Sequence, residues 1–555
     1  MPTLSIEQSL LHRLVESHGR IHDVEDMAFR LPLMGTDIDT CDDQTLDIEI
    51  FPDRPDLLSP ETLCHGIMPF LHDSPPKPRL AINPGTISMH VSPELAGIRP
   101  VILGAIVRGL NIDEDVIKRL MEHQEKLHFA LGRGRKRASI GVHDLATLAP
   151  PFRVEAVSRD HSFIPLAMEE EMSIDEILAE HPEGVDYAHL LQGMDKVPVI
   201  LDANDSVLSF PPIINGEHTT VTTNTQSIFI DVTGFDARAC ESALMLICLQ
   251  LSVLGGKIES VRVNTCDGSE WSIDGSPKKH MVERSLVEGI LGNSFTDDQI
   301  EDAIRRMGGV YNGDNSGVLS ISMPRWRYDI LHPIDLVEEI AIGHGYDDLA
   351  HDIPKAPLTA IPRKDGHLRR RVREALQGLG LIQIQSLTLS NDTDQFTSVR
   401  WKADGSITRM TNPITTEHTI LRQNVLPGLL RLLSANRHHD LPQGVYELGT
   451  VVIDHKNRDR FAFLVAERSG GFATLRGRVQ GLMRDLGCDE WNLEPNENGP
   501  WLSGRSASIV VNGVIVGECG EIDPTVSEIF DLNVPMSGAQ FDLTALSSVL
   551  DDPVR

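Results

Sequence analysis

The sequence predicts an α+β protein of several domains, in which mixed and antiparallel sheets are combined with helices. The chain has 555 residues, which is more than one hydrophobic core usually organises. Apolar runs with a period of two alternate with runs of helical period, and Pro-rich stretches interrupt the chain at 72–85 and 353–364. We therefore expect four domains, at 1–85, 86–270, 271–350 and 355–555.

In the first domain, the run LDIEIFPDRPDLLSPETLCHGI at 46–67 alternates apolar and polar residues as a strand does and then turns at Pro52 and Pro55. Ser59 is a good helix cap, and Pro60 suits the first helical position because its missing N–H needs no partner there. The pattern predicts a strand, a turn and a helix that begins at Pro60.

The second domain contains the apolar strand candidates VILGAIV at 101–107, SIFIDVT at 227–233 and IESVRV at 258–263. The most apolar run of the chain, ALMLICLQLSVL at 243–254, is too short to cross a bilayer and stops at Gly255. It predicts a buried helix, and we expect no association with a membrane.

The third and fourth domains repeat this mixture of patterns. TDDQIEDAIRRMGG at 296–309 is helical in period, VLSISMP at 318–324 is strand-like, and Pro333 marks the first turn of a further helix. The last domain begins with a basic helix and continues into the strands VYELGTVV at 445–452, RFAFLVA at 460–466 and ASIVVNGVIVGECG at 507–520.

The composition indicates in which cellular compartment the protein lies and which kinds of partner it can bind. The formal net charge is −31, which argues against a protein that coats nucleic acid nonspecifically. Seven cysteines without a CxxC pair indicate reduced thiols, and the N-terminus lacks the pattern of a secretory signal. We therefore expect a cytoplasmic location.

Two basic stretches stand out against this acidic background, GRGRKR at 132–137 and RKDGHLRRRVREAL at 363–376. In the second, Arg369, Arg370 and Arg373 can share a helix face and contact a phosphate backbone, which positions RNA without reading its sequence. A solvated helix balanced by acidic neighbours explains the same residues. Both interpretations stay open.

Four carboxylates, those of Asp329, Asp335, Glu338 and Glu339, stand within eleven residues of otherwise apolar sequence. On the helix that begins at Pro333, the last three are expected to share the face opposite the apolar one, where like charges repel by roughly 0.2–0.5 kcal/mol per close pair. A solvated acidic helix face is one interpretation. The other is an oxygen-rich site for Mg²⁺, with Asp329 converging from the preceding loop.

The strand SIFIDVT is expected to present Phe229, Asp231 and Thr233 on one side, which would place an aromatic ring, a carboxylate and a hydroxyl on a single surface. A half-buried structural strand has the same pattern. Because His143 and Asp144 are adjacent on a strand-like run, their side chains should point to opposite faces. No Ser-His-Asp or Cys-His arrangement is evident, so we do not expect a nucleophilic side chain.

The order of five motifs resembles that of the beta subunits of phenylalanine–tRNA ligase in their archaeal and eukaryotic form, over the whole chain. The motifs are FPDRPDLLSPETL at 51–63, QEKLHFALGRGRKRASIGVHDL at 124–145, FPPIINGEHTTVTTNTQSIFIDVTG at 210–234, RWRYDILHPIDLVEEIAIGHGY at 325–346 and LRQNVLPGLLRLLSANRHHDLPQGVYELG at 421–449. The resemblance implies an α+β editing domain, a small helix-rich domain and a catalytically inactive, antiparallel core like that of class II synthetases.

The resemblance also assigns candidate sites. It implies an Mg²⁺ site at the carboxylates of the fourth motif, whose spacings of six, three and one residues match Asp329, Asp335, Glu338 and Glu339. It implies an editing pocket, and the residues that match its positions are Gln124, Ser209, Asn215, Asp231 and Thr233. One departure is Gln226, which stands where a basic side chain is expected. The Arg-bearing and late Gly-rich motifs that bind ATP in class II synthetases do not appear at the expected places, so no residue of this chain is assigned to aminoacylation.

By this resemblance, the chain supports the ATP-dependent attachment of phenylalanine to its tRNA by a separate alpha subunit, in a complex of two alpha and two beta chains, and hydrolyses mischarged Tyr-tRNA. One alternative is a scaffold that binds the alpha subunit and tRNA without editing. A second alternative, a metal-dependent hydrolase that acts alone, has less support because the sequence indicates no substrate pocket beside the acidic motif.

Overall fold

A computed structural model of the protein describes residues 2–349 and 364–550. The chain divides into two units, Met1–Pro354 and Lys355–Arg555. Each unit combines sheets with helices, which confirms the predicted α+β class with mixed and antiparallel sheets. The predicted linker at 353–364 lies, except for its last residue, outside the described residues.

The first segment of unit 1 is a three-stranded antiparallel sheet with strand order β1-β3-β2. Its elements are β1 (Thr3–Glu7), α1 (Gln8–Ser17), α2 (Val24–Arg30), β2 (Thr36–Cys41), β3 (Thr45–Ile50) and α3 (Pro60–Leu71). Helix α3 begins at Pro60 as predicted. The Thr62 N–H donates to Ser59 Oγ at 3.1 Å, and the two residues form a reciprocal capping box that satisfies free N–H groups of the first turn.

The middle segment of unit 1 contains a five-stranded and a seven-stranded sheet. In chain order its elements are β4 (Ile82–Asn83), β5 (Ser88–Val91), β6 (Val101–Arg108), α4 (Glu114–Ala130), β7 (Ala138–Asp144), β8 (Phe152–Ser158), β9 (Ser162–Phe163), β10 (Met172–Ser173), α5 (Ile174–Glu180), α6 (Pro182–Tyr187), β11 (Lys196–Leu201), β12 (Val207–Phe210), β13 (Ile214–Asn215), β14 (Ser227–Gly234), α7 (Ala237–Val253), β15 (Lys257–Ser260), β16 (Arg262–Asn264) and β17 (Glu270–Trp271). The strand orders are β4-β15-β6-β14-β7 and β13-β12-β11-β8-β5-β16-β17.

Strand β14 is the element on which the middle segment is built. It pairs along its whole length with β6 on one side and with β7 along nearly all of it on the other, and its residues after Ser227 are buried. One face packs into the core with helix α7, which is the predicted apolar helix, and the other packs into a second core that contains Phe152 and Phe229. Polar residues on β14 are therefore buried and need partners within the protein.

The third segment of unit 1 is a small sheet of order β18-β20-β19 covered by helices. Its elements are β18 (Lys278–Glu283), α8 (Arg284–Leu291), α9 (Asp297–Arg306), β19 (Val310–Asn315), β20 (Val318–Met323) and α10 (Pro333–His344). The predicted helix at 296–309, the predicted strand at 318–324 and the helix start at Pro333 are confirmed by α9, β20 and α10.

Unit 2 is organised around a seven-stranded, mostly antiparallel sheet of order β21-β24-β25-β29-β28-β27-β26. Its elements are α11 (Lys364–Gly378), β21 (Ile382–Gln383), β22 (Leu389–Ser390), β23 (Ile420–Leu421), α12 (Leu426–Ala435), β24 (Gln443–Ile453), β25 (Lys456–Ala466), α13 (Phe472–Asp485), β26 (Trp491–Pro495), β27 (Trp501–Val511), β28 (Val514–Ile522), α14 (Pro524–Ile529), β29 (Met536–Asp542) and α15 (Leu543–Val549). The three runs predicted as strands form β24, β25 and the hairpin of β27 with β28. Within 2–349 and 364–550, no helix is long and apolar enough to span a bilayer.

The cap of α3 gives a test of this account of local structure. Ser59→Ala removes a buried capping hydroxyl and should lower the free energy of unfolding of unit 1 by about 1 kcal/mol. Thermal melting of the full chain measures the loss. Ser17→Ala, at an exposed position in the last turn of α1, is the matched control and should melt as the wild type does. Equal melting curves for the two variants would contradict the role assigned to the cap.

Candidate functional site

Unit 1 holds a cavity of about 280 Å³ between α4, β7, β14 and the strands β12 and β13. Much of its wall is apolar and comes from Ile117, Met121, Val142, Ile213, Ile214 and Val221. Amides, carboxylates and hydroxyls interrupt this wall. The volume is just below the range of about 300–1,000 Å³ that is usual for pockets binding drug-sized ligands, so the cavity suits a single small group such as an amino-acid side chain.

Four of the five residues assigned to an editing pocket line this cavity: Gln124, Ser209, Asn215 and Asp231. Gln124 Nε2 donates to the Ile140 carbonyl at 2.8 Å, and Asn215 Nδ2 donates to the Val142 carbonyl at 3.3 Å. Both carbonyls belong to β7, so one strand fixes two amides that come from different elements. Ser209 is paired in register with Asn215, and its hydroxyl lies 3.5 Å from Asn215 Oδ1.

The fifth residue, Thr233, lies behind the cavity wall. Its hydroxyl accepts a hydrogen bond from Arg99 Nε at 2.7 Å and lies 3.0 Å from the hydroxyl of Ser139, which does line the cavity. Phe229 packs against Phe152 in the core, with ring centroids 4.5 Å apart. The expectation that Phe229, Asp231 and Thr233 form one ligand surface is therefore wrong, because β14 is covered on both faces rather than half-buried.

Arg99 is a buried cation that organises this part of the wall. Its Nη2 donates to the Thr233 carbonyl at 2.8 Å, to the Ser139 hydroxyl at 3.0 Å and to the Arg135 carbonyl at 3.2 Å. Burial lowers the pKa of Arg99 to about 10, which leaves it charged at neutral pH. The guanidinium thus ties β14 to β7 and to the loop that precedes β7.

Sequence reasoning missed a charged group on the same cavity wall, formed by Glu125, His128 and Arg135. Glu125 Oε1 accepts from Arg135 Nη2 and lies 3.0 Å from His128 Nδ1. Because His128 Nε2 accepts the Ile140 N–H at 2.8 Å, the neutral ring carries its proton on Nδ1 and donates it to Glu125. Burial opposes ionisation of Glu125, but the hydrogen bond from His128 and the hydrogen bond and charge of Arg135 prevail and lower its pKa to about 2.

The helical spacing of Met121, Gln124, Glu125 and His128 on α4 was the signal that could have found this group, since these residues share one face. Arg135 was instead interpreted as one cation of the basic stretch at 132–137. In the structure it is buried, its Nη1 lies 2.7 Å from Glu183 Oε2, and its guanidinium stacks 4.1 Å over the Tyr187 ring. Its position depends on contacts from residues about fifty positions away, which no local pattern contains.

In the basic stretches, Arg135, Arg137 and Arg369 pair with acidic residues. Arg137 pairs with Asp236 and donates to the Tyr328 hydroxyl. In the stretch at 363–376, Arg369 pairs with Asp459 at 2.6 Å, whereas Arg370 is exposed. The interpretation of a shared, free face of three arginines is therefore wrong for Arg369, whose charge an acidic strand residue already neutralises.

The acidic motif is held together by a cation of the protein itself, Arg327. Its guanidinium donates to both oxygens of Asp329, at 2.5–3.2 Å, and to both oxygens of Glu339, at 2.6 and 2.8 Å. Asp335 Oδ2 accepts the N–H groups of Leu331 and His332 at 2.6 Å, as a residue in a first helical turn does. Glu339 is buried with Arg327, so the interpretation of a solvated acidic helix face is wrong for Glu339.

Glu338 is the remaining carboxylate of the motif. Burial raises its pKa, and so do the charges of Glu339, Asp53, Asp335 and Asp329. Among the described residues, no three His, Cys, Asp or Glu side chains come close enough together to hold a metal ion. In this arrangement the oxygen donors suit Mg²⁺ by chemistry, but three of the four carboxylates are already engaged, so the motif does not fit a four-carboxylate metal site.

Models of protein families match three parts of the chain. Residues 110–247 match the B3/4 domain, residues 281–346 the tRNA synthetase B5 domain, and residues 349–543 the phenylalanyl tRNA synthetase beta chain CLM domain. Curated relatives match almost end to end. The phenylalanine–tRNA ligase beta subunit of Archaeoglobus fulgidus is 37% identical over 548 residues, which cover 98% of each chain.

The chain belongs to the family of phenylalanine–tRNA ligase beta subunits. The beta subunit of Methanothrix thermoacetophila is 38% identical over 519 residues, covering 93% of this chain and 95% of that one. Among solved structures, an N-terminal fragment of the beta subunit from Pyrococcus horikoshii is 32% identical with a TM-score of 0.58. The match covers 62% of this chain and the whole fragment. The resemblance drawn from the five motifs is confirmed, and the cavity lies in the part matched by the B3/4 domain model.

The buried charges around Arg327 give a prediction about stability. Arg327→Gln leaves Asp329 and Glu339 without their cation, and unfolding should become easier by about 3–5 kcal/mol. Arg305→Gln is the control, because Arg305 makes surface ion pairs with Asp73 and Asp302 that should contribute at most about 1 kcal/mol. Chemical unfolding of the full chain measures both. An Arg327 variant as stable as the Arg305 variant would contradict the structural role of this cation.

Proposed function

We propose that this beta subunit supports aminoacylation by a separate alpha subunit and that the cavity of unit 1 hydrolyses Tyr-tRNA made in error on the tRNA specific for phenylalanine. The observation that carries the editing proposal is the cavity itself. It combines an apolar wall with fixed polar groups from four elements, at Gln124, Ser209, Asn215 and Asp231. Membership of the phenylalanine–tRNA ligase family supplies the substrate class.

Selection of tyrosine by such a cavity has a physical basis. An apolar synthetic pocket for phenylalanine rejects an added hydroxyl by only about a hundredfold, so a second site is needed. A site that hydrogen-bonds the hydroxyl selects more strongly, by roughly 10⁴–10⁵, because phenylalanine leaves its buried polar groups unpaired. We assign this contact to the half-buried Gln124, whose amide nitrogen is bound to β7 and whose Oε1 has no donor among the described residues.

The chemistry asked of the cavity is hydrolysis of an activated ester. Water attacks the tyrosyl carbonyl carbon, the bond to the ribose oxygen breaks, and free tyrosine and tRNA are released. The hydrogen-bonding groups of the wall position the water and polarise the carbonyl, which demands less than cleavage of an amide. Fixed amides and hydroxyls suit this task because their orientation is set before the substrate arrives.

The finer description of the domains is part of the same proposal. The middle segment of unit 1 acts as the α+β editing domain, the segment with α8, α9 and α10 as a small helix-rich domain, and unit 2 as a class II synthetase-like core without aminoacylation chemistry. The seven-stranded, mostly antiparallel sheet of unit 2 supports this proposal. The partners are the alpha subunit, in a complex of two alpha and two beta chains, and the tRNA, and the expected compartment is the cytoplasm.

Deacylation of Tyr-tRNA by the complex reconstituted with an alpha subunit tests the editing proposal. Gln124→Ala and Asn215→Ala each remove a cavity amide and should slow the release of tyrosine about tenfold, as expected for one hydrogen bond, while phenylalanine attachment is unchanged. Asn224→Ala, at an exposed asparagine of the nearby loop, should change neither activity.

A wild-type complex that releases tyrosine no faster than spontaneous hydrolysis would contradict editing. It would favour the alternative in which the beta subunit serves as a scaffold that binds the alpha subunit and tRNA. If the cavity variants lost phenylalanine attachment and tyrosine release together, the cavity residues would be structural.

The magnesium site of Asp329, Asp335, Glu338 and Glu339 stays a proposal. Arg327 stands against it, because this cation already neutralises two of the four carboxylates. The concentration of negative charge around Glu338 supports it, because a cation bound there would offset the repulsion that raises the pKa of Glu338. Because Asp329, Asp335 and Glu339 are already engaged, Glu338 would be the first ligand of the ion, and the ion would supply charge neutralisation near the start of α10.

Melting of the complex in EDTA and in millimolar Mg²⁺, at matched ionic strength, tests this site. A bound ion should raise the melting temperature, since a ligand at a hundred times its Kd stabilises by about 2.7 kcal/mol. Glu338→Gln should abolish the response, while the exposed Glu301→Gln on α9 should keep it. If the wild-type melting curve is the same in both solutions, the motif binds no Mg²⁺ and is a helix face neutralised by Arg327.

A further inference from the structure

A chain of three hydrogen-bonded side chains runs beneath the cavity floor, from Asp231 through His143 to Thr219. Asp231 Oδ2 lies 2.7 Å from His143 Nε2, and His143 Nδ1 lies 3.0 Å from Thr219 Oγ1. Each of the three residues is at most 1% exposed. Asp231 and Thr219 line the cavity, whereas His143 lies behind them and stacks on Phe229 with ring centroids 5.8 Å apart.

Two contacts hold the His143 ring in place. Its Nε2 lies 2.7 Å from Asp231 Oδ2, so a proton lies between those two atoms as a short hydrogen bond. Its Nδ1 lies 3.0 Å from Thr219 Oγ1, which also lies 2.9 Å from the Gly216 carbonyl. The ring therefore cannot turn without breaking both contacts.

The hydrogen bond to His143 explains how a carboxyl group can be buried on β14. A carboxylate without a partner there would meet a large desolvation penalty, which the hydrogen bond offsets. The backbone makes room for this pair at Gly141, which faces Asp231 in the strand register. A methyl group at Gly141 would lie 2.1 Å from Asp231 Oδ2 and 2.7 Å from His143 Nε2.

We propose that His143 is a positioning residue of the editing cavity, which fixes Asp231 Oδ2 so that Asp231 Oδ1 accepts a hydrogen bond from the aminoacyl group of the substrate. Thr219 also fixes the ring, through the contact of its hydroxyl with His143 Nδ1. This inference rests on the proposed editing function and adds to it a residue that the substrate does not touch.

The same three side chains have the order of a nucleophilic triad, but the contacts oppose that role. A nucleophilic hydroxyl must give its proton to the imidazole, whereas the Gly216 carbonyl, 2.9 Å from Thr219 Oγ1, competes with the ring for that proton. In this proposal water attacks the substrate, and no acyl group is transferred to Thr219.

Steady-state deacylation of Tyr-tRNA by the reconstituted complex tests the role of His143. His143→Ala should reduce kcat at least tenfold, because Asp231 loses its fixed orientation. His143→Gln keeps a donor toward Asp231 and should restore most of the rate. His218→Ala, an exposed histidine of the turn that carries Thr219, is the control and should deacylate at the wild-type rate.

A double-variant cycle separates positioning from a general structural effect. If His143 acts through Asp231, then His143→Ala combined with Asp231→Ala should be no slower than Asp231→Ala alone. Multiplied losses in the double variant would overturn the proposal. A wild-type rate in His143→Ala would overturn it as well.

Attachment of phenylalanine by the same preparations reports whether each variant has folded and assembled. Should His143→Ala fail to assemble, His143→Gln decides alone: a rate within about threefold of wild type supports the proposal, and a loss of tenfold with intact phenylalanine attachment overturns it. Failure of the editing proposal is distinguishable, because then the wild-type complex itself would not release tyrosine above the spontaneous rate.

Discussion

The pairing of β14 between β6 and β7 is the constraint on which the middle of unit 1 depends. A strand in that position is buried on both faces, so each polar side chain it carries must find a partner inside the protein. Thr233 accepts a hydrogen bond from Arg99, and Asp231 is hydrogen-bonded to His143. These partners in turn fix Ser139 and Thr219 on the cavity wall. The need to satisfy a buried strand and the need to orient a binding site are thus met by the same hydrogen bonds.

The acidic motif follows the same rule with a different result. Four carboxylates near a helix start repel one another, and burial of Glu339 would add a desolvation penalty to that repulsion. Arg327 comes from the loop before the motif and binds Glu339 and Asp329 with both edges of its guanidinium. The side chain of Arg327 therefore neutralises carboxylates that the spacing of the acids had suggested as ligands of a metal ion. The surplus of negative charge is left at Glu338, toward the outside of this cluster.

Local patterns predicted much of the fold. Ser59 with Pro60 marked the start of α3, Pro333 marked the start of α10, and the two-residue period identified β14. The site was predicted less completely, and the reason is sequence distance. The burial of Arg135 depends on Glu183, and the pairing of His143 depends on Asp231, 88 positions away. The alternation of side chains along β14 predicted the side to which Asp231 points. It could not predict that Thr233, on the same side, is covered by Arg99.

The division of labour within the cavity follows from how each polar group is held. Gln124 and Asn215 bind the backbone of β7 through their amide nitrogens, so the sheet fixes the direction of each amide oxygen. Asn215 Oδ1 already accepts from the Ser209 hydroxyl, whereas Gln124 Oε1 has no donor among the described residues. Rigidity of this kind costs little when a ligand fills the site, because the ordering was completed on folding. Rigidity also makes binding selective, because a ligand without a matching donor leaves a desolvated oxygen unpaired and binds less tightly. If the cavity edits as proposed, it needs no group that excludes phenylalanine, because a side chain without a donor leaves Gln124 Oε1 unpaired.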